Sequence, residues 1–68
     1  MKHQKIKSVI MYKLHHSNYY DVIYHSGKVM CYLDYDLPRT AALFVREAPK
    51  RTHKYNYILK RDEMIYEF

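Results

Sequence analysis

A chain with a single glycine has few places to reverse tightly, and here that glycine is Gly27. Glycine enters the positive-φ region without steric cost, as tight hairpin turns require. Tyr19–His25 and Lys28–Asp34 flank it, rich in aromatic and β-branched residues and so suited to strands. A two-residue turn at Ser26-Gly27 sets His25 against Lys28, Tyr24 against Val29, Val22 against Cys31 and Tyr20 against Leu33. Strand side chains alternate, so these last six share one apolar face. Tyr19, Asp21, Ile23, His25, Lys28, Met30, Tyr32 and Asp34 share the other, mixed face.

The preceding segment also alternates. Ile6, Ser8, Ile10, Tyr12 and Leu14 fall on one side, and Lys5, Lys7, Val9, Met11 and Lys13 on the other. This predicts a strand. A loop at His16-Ser17-Asn18 pairs His15 with Tyr19, and that register sets Leu14 against Tyr20, Tyr12 against Val22 and Ile10 against Tyr24 on the core side. The same register sets Lys13 against Asp21 and Met11 against Ile23 on the outer side, favourable partners across strands. Met1–Lys5 reads as a short arm.

Helical spacing follows. Leu37, Ala41, Phe44, Val45 and Ala48 form one stripe, with Asp36 as N-cap and Pro38 in the first turn. Pro49 ends the helix, which predicts it at about 37–47. Lys50–His53 reads as a basic connector. Lys54–Phe68 then folds about Arg61-Asp62, by a two- or four-residue loop, pairing Leu59 with Met64, Tyr57 with Tyr66 and Tyr55 with Phe68. The expected fold class is α+β: a small antiparallel sheet in β-β-β-α-β-β order, with one helix packed on one face of a single domain.

At 68 residues the core is small, and a chain of this size often leans on a staple or a partner. Cys31 is the only cysteine, so no internal disulfide exists. It reads as a small buried hydrophobe, and a lone cysteine fits a cytoplasmic protein. No apolar run approaches the ~20 residues that span a bilayer, and no signal-peptide apolar stretch opens the chain. Twelve Lys/Arg against seven Asp/Glu give a net charge of +5. The excess falls in two blocks, residues 1–31 (five lysines, one acid) and residues 49–61 (five basic residues, no acid). Such a surface favours polyanions.

Two function classes follow. The first is a small nucleic-acid-binding or regulatory module, of the kind viruses and mobile elements carry. Lys5, Lys7, Lys13, Lys28, Lys50, Arg51 and Lys54 would neutralise phosphates, and Tyr32 would stack on bases. The second is a protein-binding module, a homodimeric adaptor or a small inhibitor of a host protein. It would use an outer patch of Val9, Met11, Ile23, Met30 and Tyr32 rimmed by charge. The C-terminal hairpin, a second copy or a partner could cover that patch.

Three strands followed by a helix resemble, in layout, the plant ethylene-response DNA-binding domain and the arm-binding domain of tyrosine integrases. Gly27-Lys28-Val29, Tyr32-Leu33, Tyr35-Asp36 and Ala41-Ala42 carry the likeness to the former. That family reads DNA with strand arginines and tryptophans. The corresponding strands here contain neither, so the resemblance transfers no binding residues.

Metal binding and catalysis have little to build on. His15 and His16 are adjacent, so strand geometry would point them apart, and neither a cysteine pair nor His-x-x-x-His spacing is present. Asp34 and Asp36 read as a lysine partner and a helix cap. Ser8, Ser17 and Ser26 have no base and orienting acid in view. One glycine cannot make a phosphate loop. The expectation is a non-enzyme without metal, cofactor, membrane or small-molecule substrate.

Overall fold

The computed structural model describes residues 5–68, so residues 1–4 of the expected arm lie outside it. β1 (Ile6–Leu14), β2 (Ser17–Tyr24) and β3 (Val29–Leu33) are followed by a 3-10 turn at Asp34–Asp36 and by α1 (Arg39–Glu47). β4 (Lys50–Asn56) and β5 (Arg61–Glu67) complete the chain. All five strands join one antiparallel sheet in the order β3-β2-β1-β5-β4. The α+β class and the element order are as the sequence predicts. The C-terminal hairpin does not fold over the first three strands; it extends their sheet beside β1. β3 and β4 therefore form opposite edges, and α1 carries the chain between them across β1 and β5.

The helix seals one face. Ile6, Val9, Val22, Ala41, Phe44 and Ala48 form the core, with Tyr20, Tyr24, Tyr32, Leu37, Val45 and Tyr66 packed around it. The helical stripe is the one the spacing marks, and Phe44 is its centre at 1% exposure. Phe68 meets Phe44 edge to face at 5.0 Å. Fully burying a side chain of this kind contributes about 1.5–3 kcal/mol, so Val9, Val22 and Phe44 anchor the fold.

Asp36 is not the helix cap. It belongs to the 3-10 turn, and α1 starts from Pro38 without a side-chain cap. Its first bond runs from the Ala42 N–H to the Pro38 carbonyl, 2.9 Å. At the other end Arg51 donates to the carbonyls of Ala48 (3.4 Å), Val45 (3.4 Å) and Arg46 (3.0 Å). A cation at these unpaired carbonyls also complements the helix dipole.

Turn geometry corrects all three hairpin registers. Between β1 and β2 the loop is only His15-His16, both at positive φ (50° and 69°), the requirement of a type I′ turn. Leu14 therefore pairs with Ser17, Met11 with Tyr20 and Val9 with Val22. Between β2 and β3 the loop is His25-Ser26-Gly27. The Gly27 N–H donates to the Tyr24 carbonyl and the Tyr24 N–H to the Lys28 carbonyl, each 2.9 Å. Gly27 sits at φ 94° in the last loop position, as a type I turn closed by a glycine bulge demands. Val22 thus pairs with Met30 and Tyr20 with Tyr32. Slips of an odd number of residues reverse faces. Tyr20, Val22 and Tyr24 keep their place under the helix. Val29, Cys31 and Leu33 pass to the open face, as do Ser8, Ile10, Tyr12 and Leu14. Val9, Met11, Met30 and Tyr32 move under the helix instead. An irregularity between Ile6 and Ser8 returns Ile6 to the covered side.

The C-terminal hairpin turns at residues 57–60, not at Arg61-Asp62. Asn56 is the cause. Its Oδ1 accepts from the Ile58 N–H (3.1 Å) and the Leu59 N–H (2.9 Å), an Asx-type closure, and Lys60 takes φ 55°. The stretch expected as a connector, Lys50–His53, becomes strand because it pairs with Met64–Glu67. Tyr57, Ile58 and Leu59 are left at the tip, 81%, 90% and 55% exposed.

Candidate nucleic-acid interface

Antiparallel pairing sends the two sheet ends in opposite chemical directions. At the end where β1 and β4 begin, the His25 N–H donates to the Lys5 carbonyl (3.0 Å) and the Tyr24 N–H to that of Lys28 (2.9 Å). Two lysines far apart in sequence therefore attach to consecutive residues. Lys7 follows at the register irregularity in β1. Its neighbour Ser8 is in register with Glu67, and Glu67 with Lys50. Lys5, Lys7, Lys28 and Lys50 are all exposed and form a rim along one end of the sheet. Lys54 continues it up β4, an edge strand in which every residue except Asn56 is exposed.

The remaining expected contacts separate from this rim. Lys13 is exposed but stands at the opposite end, beside the His15-His16 turn. Arg51 is engaged in capping α1 and lies 5.7 Å from the Tyr66 ring centroid. Tyr32 packs against the core and hydrogen-bonds with Tyr24, so its ring is not a free stacking platform. Tyr55 and Tyr57 are exposed instead, in edge-to-face contact at 4.9 Å. Alternation had assigned both to the core; the Asn-Tyr step before an apolar tip was the signal of a turn.

The expected protein-binding patch does not exist as one surface. Val9 is wholly buried, and Met11, Met30 and Tyr32 lie on the helix side while Ile23 faces away. The face that α1 leaves uncovered is covered by its own side chains. The Arg61 guanidinium lies 3.5 Å from the Tyr12 ring centroid. Its Nε donates to Glu63 Oε2 (2.9 Å), and its Nη2 stands 3.8 Å from Asp21 Oδ2. The Asn56 amide donates to the same Glu63 oxygen (3.2 Å). Tyr12 donates its hydroxyl to Asp21 Oδ1 (3.0 Å) and stacks on Tyr19 at 5.8 Å. Cys31 Sγ lies 3.4 Å from the Tyr12 oxygen. Tyr12 is 7% and Glu63 4% exposed although no helix covers them.

These surroundings hold the phenols neutral. Burial, then hydrogen bonds with Cys31 and Asp21, push Tyr12 far above the usual tyrosine range. Burial, then the Asp34 charge, raises Tyr20; burial, then Tyr32, raises Tyr24. Among the described residues no group of three or more His, Cys, Asp or Glu side chains is placed to hold a metal ion. No described helix is long and apolar enough to cross a membrane. No protein family, no curated protein and no solved structure matches this chain.

Proposed function

We propose that this chain is a nucleic-acid-binding module that grips phosphates with its lysine rim. The observation that carries the reading is the convergence of Lys5, Lys7, Lys28 and Lys50 on one end of the sheet. Lysines on an edge strand also discourage strand pairing, but that role does not call for lysines at the start of β1 or just after the β2–β3 loop. Tyr55, at the far end of β4 from the rim, and Tyr57, in the tip beyond it, offer ring surface to unpaired bases.

Fluorescence anisotropy with a labelled single strand and a labelled duplex, each at about 50 and 200 mM salt, tests this. Four phosphate contacts on a duplex predict a loss of about a hundredfold over that range. Each lysine changed to alanine should lower the salt slope by about 0.9. Stronger dependence on Tyr57→Ala in the single strand would assign the rings to stacking. No binding at the lower salt, or binding indifferent to all four lysines, ends the proposal.

A further inference from the structure

The two sheet edges differ in a way that selects a partner. β4 carries Lys50, Arg51, His53 and Lys54 along its length, so a second copy of β4 would meet it with like charge. β3 reads Val-Met-Cys-Tyr-Leu, with no charge and no proline. Val29 is 54% and Met30 36% exposed, and Cys31 is exposed too. Natural sheets blunt an open edge with charge, proline or a bulge; β3 has none of these.

The backbone fixes which groups point outward. The Tyr24–Lys28 bond begins the alternation of the β2–β3 ladder, so Met30 and Tyr32 turn their N–H and C=O groups toward β2. Those of Val29, Cys31 and Leu33 then face the free edge, and Cys31 is the middle residue of the strand. We propose that β3 pairs antiparallel with β3 of a second copy about a twofold axis at Cys31, making one continuous sheet. In that register Val29 meets Leu33, Met30 meets Tyr32 and Cys31 meets Cys31 of the second copy. One step beyond each strand end, Lys28 meets Asp34 of the second copy, twice. Both side chains are exposed, and among the described residues neither forms an ion pair within its own chain. Apolar side chains paired across the edge and opposite charges at its ends make the surface self-complementary, as a twofold interface must be. An extended peptide from another protein would find no such match at Lys28 and Asp34 unless it repeated this pattern.

The test is the mass of the full chain by light scattering up to about 1 mM, since an interface this small is a weak one, with dissociation at tens to hundreds of micromolar. The mass should rise with concentration toward twice 8.4 kDa. Lys28→Asp or Asp34→Lys alone should weaken association by about tenfold, and the double exchange should restore it. Both positions are exposed, and circular dichroism of each variant checks the fold. A monomer at every concentration overturns the proposal. So does a dimer that the single and double variants leave unchanged, because another surface would then hold it.

Discussion

The two faces of this sheet are sealed by different means. The covered face is apolar: Val9 and Val22 are fully buried beneath α1, Phe44 is buried on the helix itself, and Tyr20, Tyr24, Tyr32 and Tyr66 pack around them. The open face has no lid. Arg61 lies across Tyr12 and bonds Glu63 beside Asp21, so long polar side chains exclude water from one another's stems. Among the described residues α1 is the one α-helix, and on the other face the side chain of Arg61, mostly buried against Tyr12 and Glu63, takes the place of a second layer. The first face draws its stability from area, the second from satisfied charge, and the two should fail differently.

The largest effect should come from the covered face. Phe44→Ala should cost about 3–5 kcal/mol, read by urea denaturation, and leave so small a domain largely unfolded. Leu14→Ala on the open face, at 38% exposure, is the control and should cost under about 1 kcal/mol. If the two cost alike, the contrast between faces is false.

Arg61→Ala comes next. It leaves Glu63 buried without its cation, and breaking such a pair costs about 3 kcal/mol. Adding Glu63→Gln should return much of that loss, because the stranded charge is gone. Were Arg61→Ala harmless, the open face would be held by its apolar residues alone.

Alkali should probe both faces together. Tyr12, Tyr20 and Tyr24 have raised pKa values in the fold, so ionisation favours the unfolded chain. Their contribution is complete below the ordinary tyrosine pKa of ~10 and is lost as pH climbs past it. Thermal melts should be indifferent to these groups at neutral pH and decline above about pH 10. Tyr12→Phe should make that decline shallower. A decline of the same steepness in the variant would show that the open face takes no part.

The smallest effect concerns the turn that sets the faces. His15→Asn with His16→Gly supplies residues that accept positive φ, and should stabilise the fold by about 1 kcal/mol. The pairing of Val9 with Val22 should survive in hydrogen-exchange protection. A destabilised variant would mean that the histidine rings themselves hold the turn.

The elements were legible where local chemistry is strong. Alternation marked β1, β2 and β3, and the Phe44 stripe between Pro38 and Pro49 marked the helix. The faces were not legible, because they depend on loop length and loop length depends on backbone angles. His15 and His16 take left-handed φ without a glycine to announce it. Gly27 was read correctly as a turn residue but occupies a bulge position, which adds one residue to the loop. Each odd slip turned a whole strand over, and with it the reading of Val9 as surface and Cys31 as core. Among the candidate site residues, the lysines were identified singly; their convergence was a property of strand order.

Residue spacing alone determined that the chain would build strands in two groups around one short amphipathic helix, since periodicity is local and survives any register. Tertiary structure alone decided which side of each strand the helix would cover and that Lys5, Lys28 and Lys50 would share an end. Those outcomes depend on how hairpins close and on which strand β5 joins. Both are settled by packing Val9 and Val22 against Phe44, contacts between segments that no local pattern connects.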